Sequence, residues 1–158
     1  MRAWWCVAAA LVAFAPGLPV SAEEGTPIAV IVHKSNPVES LSLNQVRDLL
    51  HGRVGTWPNG RRVVLVLSDD HAMKGTVLKW CCGQTPAQYD AQMLRAVFTG
   101  DVPAAPKRLD TSEAVAKFVF NVAGGIGFVL PPDATDAVRV VRIGGLAPSD
   151  PGYPLRLR

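Results

Sequence analysis

Along the chain, three short runs of almost unbroken apolar residues, Ile28 to Val32, Val63 to Leu67 and Ile126 to Leu130, are rich in β-branched side chains. Turn or helix signals bound each of them. Runs of this length without polar alternation predict strands buried on both faces of a sheet. Between the first two, Ser42 and Gln45 have the spacing of a capping box. Leu43, Val46, Leu49 and Leu50 then recur at helical period until Gly52, which predicts a short amphipathic helix. Trp57-Pro58-Asn59-Gly60 follows as a turn into the second strand.

Beyond that strand, Asp69 or Asp70 is placed to cap a helix with Met73, Val77 and Trp80 on its apolar face, ending near Gly83. Thr85, Pro86 and Gln88 open another, because threonine caps, proline suits the first helical position and glutamine completes a box. Its expected core face is Tyr89, Met93, Leu94, Val97 and Phe98, and Gly100 stops it. Asp101 to Lys107, with two prolines, reads as a loop. Asp110 with Glu113 starts a last helix carrying Val115, Phe118, Val119 and Val122, which Gly124-Gly125 ends. Val138 to Ile143 reads as an edge strand with Arg139 and Arg142 partly exposed, and the Gly- and Pro-rich tail carries no clear element. Strand and helix alternate almost throughout, which predicts an α/β domain with a mostly parallel sheet flanked by helices.

Composition adds the compartment. Arg2 supplies a positive start, Val7 to Phe14 an apolar run and Val20-Ser21-Ala22 a small-residue cleavage site, so residues 1 to 22 read as a signal peptide. The run is well short of the ~20 residues that cross a bilayer, and Cys6 lacks the small and apolar residues before it that lipoprotein processing requires. Residues 23 to 158 then form one domain in the periplasm or outside the cell, with no transmembrane segment. Its 15 basic and 13 acidic residues leave a charge of +2, too weak to argue for a nucleic-acid partner.

Among candidate chemistry, little converges. His33, His51 and His71 stand in no metal-binding spacing, and His71 and Cys82 on one helix would lie about 16 Å apart. Ser68 and His71 crowd a single turn with no nucleophile elbow, so no catalytic triad and no enzyme activity is expected. No cofactor is expected either. The glycine run from Gly124 to Gly127 enters a strand and suits close backbone packing better than phosphate cradling. Trp57 either closes one end of the core or offers an apolar surface. The adjacent Cys81 and Cys82 are left as free thiols, a vicinal disulfide or an intermolecular bridge.

Ala29 to Val32, Ser35-Asn36-Pro37, Leu41 to Gly52 and Trp57 follow one another as they do in the phosphate-binding proteins of ABC transporters. Gly124-Gly125-Ile126-Gly127-Phe128-Val129 resembles that family's Gly-Ala-Ile-Gly-Tyr-Val. The match spans roughly residues 27 to 130 and resembles the second lobe of the family's two-lobed, periplasmic-binding-protein-like members. The resemblance implies transport-related binding of a small oxyanion such as phosphate near the turn after the second strand. There the family carries an Arg and then Asp-Gly-Ser-Gly-Thr, and this chain has Leu67-Ser68-Asp69-Asp70-His71-Ala72-Met73, with Lys74-Gly75-Thr76 restoring part of it after a shift of three. The expected ligand-binding residues are therefore Ser68, Asp69, Asp70, His71, Lys74 and Thr76, at a helix start whose dipole favours anions. The alternative is a ligand-free lobe that docks on an envelope protein or on a copy of itself.

Overall fold

The computed structural model describes residues 25–158, and the signal peptide expected at residues 1–22 lies outside the described residues. The described chain runs β1 (Thr26–Pro27), β2 (Ala29–His33), β3 (Ser40–Leu41), α1 (Leu43–Leu50), β4 (Val64–Ser68), α2 (His71–Cys82), α3 (Pro86–Thr99), β5 (Lys107–Leu109), α4 (Ser112–Asn121), β6 (Gly125–Val129), a 3₁₀ turn (Pro131–Asp133), β7 (Val138–Ile143) and β8 (Arg156–Leu157). Six strands form one sheet in the order β3-β7-β2-β6-β4-β5, while β1 and β8 pair separately. β2 is antiparallel to both its neighbours, β6 and β7. The remaining pairs are parallel, so β2 alone runs against the other five strands of this sheet.

The unbroken apolar runs follow from this sandwich. Along β2, Val30 and Val32 face a core built with α1, α2 and α3, and Ala29 and Ile31 face a second core under α4. β6 solves the same problem with size. Ile126 and Phe128 fill the first core, while Gly125 and Gly127 lie beneath α4. A Cβ on Gly127 would stand 2.5 Å from a Val115 methyl, so α4 rests directly on the strand. Trp57 is buried and its indole N–H donates to the Gly124 carbonyl at 2.9 Å, which makes it a core-closing residue.

Three expectations change. Val138 to Ile143 is not the edge strand, because β3 pairs with its far end at Arg142 and Ile143. The last helix is capped by the Thr111 hydroxyl, which accepts from the Ala114 N–H at 3.1 Å, and not by Asp110. The tail is packed: Tyr153 and Leu155 are fully buried, and the Tyr153 hydroxyl donates to the Ile28 carbonyl at 2.7 Å.

Candidate functional site

β4 and β5 are parallel neighbours, and each is followed by a helix, so the starts of α2 and α4 lie together at the carboxyl edge of the sheet. In open α/β sheets this edge is where ligands are met. The Asp69 N–H donates to the Leu109 carbonyl at 2.8 Å and ties the two turns together. Ser68 is buried at the end of β4, and its hydroxyl accepts from the Asp70 N–H at 3.1 Å. Asp70 is the cap of α2, its carboxylate accepting from the Met73 N–H at 2.8 Å. The first two N–H groups of the helix, on the exposed His71 and Ala72, have no acceptor within it. On the α4 side, the Ser112 hydroxyl accepts from the Leu130 N–H at 2.8 Å.

Ser68, Asp69, Asp70 and His71 thus share one turn, whereas Lys74 and Thr76 lie further along α2. Thr76 sits five residues past His71, about 7.5 Å along the axis. The Lys74 side chain is only 7% exposed, and its ammonium donates to Asp90 of α3 at 3.1 Å. The other carboxylate oxygen of Asp90 holds Arg108 of β5 at 2.6 Å. This Lys74–Asp90–Arg108 group joins α2, α3 and β5, and it pairs the lysine's charge with a carboxylate of the neighbouring helix. Sequence reading missed it, because Asp90 follows the buried Tyr89 and its partners come from separate elements.

Cys81 and Cys82 are free thiols, so the vicinal disulfide does not form. Both lie in the last turn of α2, where successive side chains point about 100° apart. Burial pushes both thiols above their ordinary pKa, most strongly at Cys81, which the neighbouring Cys82 raises further while Arg47 opposes the shift. Among the described residues no cluster of three His, Cys, Asp or Glu side chains stands ready for a metal ion, and no helix is long and apolar enough to cross a membrane.

The helix α3 holds the largest departure from expectation. Tyr89 and Met93 are buried, but Leu94 is 70% and Phe98 92% exposed. The helical wheel gives the reason: taking Tyr89 as zero, Met93 falls at about 40° and Val97 at about 80°, whereas Leu94 falls at about 140° and Phe98 at about 180°. With the exposed Ala87 and Ala91 they form an outward apolar stripe, opposite the core face.

No protein-family model and no curated protein matches the chain. Solved structures do. A Clostridium perfringens structure with bound phosphate, described as a phosphate ABC transporter substrate-binding protein, is 22% identical with a TM-score of 0.62, over 77% of this chain and 46% of that one. The PstS protein of Borrelia burgdorferi is 9% identical with a TM-score of 0.60, over 84% and 55%. A phosphate-binding protein of Stenotrophomonas maltophilia is 17% identical with a TM-score of 0.58, over 78% and 40%. The chain spans about half the length of these proteins. It therefore has the α/β fold of the phosphate ABC transporter substrate-binding proteins, over a stretch that corresponds to about half of one.

Proposed function

We propose that this chain is an exported solute-binding-type protein that recognises a small oxyanion such as phosphate without covalent chemistry, at the carboxyl ends of β4 and β5. The observation that supports this reading is the start of α2, where two unpaired N–H groups, the exposed His71 ring and the Ser68 hydroxyl adjoin one turn in the fold of a phosphate-bound protein. The first residues, from Arg2 to Ala22, supply the export signal and place the protein in the periplasm or outside the cell. Lys74 acts on the ligand through its field, since Asp90 holds its ammonium.

Asp69 and Asp70 set the strength of the site, because carboxylates beside a helix N-terminus compete with an anion for the same positive potential. The site is therefore weak in the native chain, and neutralising Asp69 improves it. Calorimetric titration of residues 23–158 with phosphate and sulfate at low salt checks this. Saturable binding is expected, weakened by Ser68→Ala and His71→Ala and strengthened roughly threefold by Asp69→Asn. An absence of saturable binding in both the native chain and Asp69→Asn overturns the reading.

A second reading is favoured by the exposure of Leu94 and Phe98: the domain docks on an envelope partner or on its own copy through the outer face of α3.

A further inference from the structure

We propose that a groove at the amino end of β4 binds a small amphiphile, an acyl or aryl chain carrying one carboxylate that Arg62 holds. The groove lies at the other end of β4 from the start of α2, and the two sites are separate. It exists because β5 is short. β5 pairs only with Val66, Leu67 and Ser68, so on that side the preceding Val63, Val64 and Leu65 have no strand beside them and stay half-buried, while Val64 and Leu65 pair with β6 on the other side. Leu49 and Leu50 at the end of α1, Met93 of α3 and Val102 complete the walls.

These walls are fixed by contacts of their own. The Tyr89 hydroxyl donates to the Leu50 carbonyl, and the Val63 N–H donates to the Gly55 carbonyl at 2.9 Å. Gly52 adopts a φ of +70°, and a Cβ there would stand 2.8 Å from a Val102 methyl, so the end of α1 and the loop after α3 close against each other. The groove is open to solvent along one side and holds about 440 Å³, within the range of small-molecule sites.

Charge selects the ligand. The charged residues lining the groove are Arg62 and Lys107, with no acidic residue among them. The Lys107 ammonium lies 5.1 Å from the centre of the Phe118 ring, on a helix that packs on the opposite face of the sheet. Arg62 has no ion pair or side-chain hydrogen bond with any described residue, and it is the cation left to meet an incoming carboxylate. An apolar groove with one available guanidinium at its margin fits an apolar body with a single anionic head.

The test uses decanoate and its uncharged counterpart decanol, titrated into residues 23–158 and followed by amide chemical shifts. Saturable shifts centred on Val63, Val64, Leu65 and Val102 are expected with decanoate. Arg62→Gln should weaken decanoate about tenfold and leave decanol unchanged. Ala105→Trp, at an exposed position on the margin, should block both ligands while the spectrum stays that of a folded domain. Three results overturn the proposal: no saturable shifts at these residues, equal decanoate affinity in Arg62→Gln, or binding that phosphate displaces.

Discussion

Tyr89 and Tyr153 each bury a phenol whose hydroxyl donates to a backbone carbonyl, of Leu50 and Ile28 respectively. Burial pushes both phenols well above their ordinary pKa, as it does the thiols of Cys81 and Cys82. The unfolded chain releases these protons near pH 9 for cysteine and pH 10 for tyrosine, while the folded chain keeps them. Above that range the unfolded state binds fewer protons, so stability is full below about pH 8.5 and falls as pH rises. Urea unfolding at pH 8, 9.5 and 10.5 should show this loss, and Tyr153→Phe should flatten part of it. At this scale the sequence was informative only about local partners. Ser68 and Asp70 are two residues apart and their bond could be anticipated, but the buried state of Lys74 depends on Asp90, sixteen residues away on another helix.

Elements whose signals lie within a few residues were legible. The capping boxes of α1 and α3 form as read, with the Ser42 N–H donating to Gln45 at 2.8 Å and the Thr85 N–H donating to Gln88 at 3.0 Å. Of β5, Lys107 was read as the end of a loop and Arg108 and Leu109 were given no element, because the three carry no apolar run, and pairing with β4 alone makes them a strand. The α3 face was misjudged because counting apolar residues ignored their angle. The group joining α2, α3 and β5 makes an unequal prediction for its two ends. Asp90→Ala strands the buried Lys74 ammonium and should cost about 2 kcal/mol, a buried-pair penalty reduced because Asp90 is partly exposed. Lys74→Met leaves Asp90 with Arg108 and should change stability by less than about 1 kcal/mol. Denaturant unfolding of the two variants distinguishes them.

At the scale of the molecule, alternating strands and helices were enough for the α/β class, and the order of motifs pointed to the phosphate-binding proteins whose fold it shares. Strand order was not legible, because nothing local in Ile28 to Val32 says that it lies between β6 and β7. The candidate site was legible as a helix start and not as a set of converging side chains. Leu94 and Phe98 remain outside every core of the described domain. Under the interaction reading, sedimentation velocity should show association that rises with concentration and disappears in Phe98→Glu. Because Phe98 is already 92% exposed, the variant's melting temperature should stay within about 2 °C.

The reversed central strand has a consequence for the timing of folding. β2 is made early, yet both its partners belong to the last quarter of the chain, and the Ile28 carbonyl meets Tyr153 across 125 residues. Contacts this distant are slow to close, because the intervening chain must be ordered first. Through most of synthesis the stretch from Ala29 to His33 is a sticky, unpaired strand. Under the export proposed above, a chain that crosses a membrane unfolded would complete its sheet only on arrival.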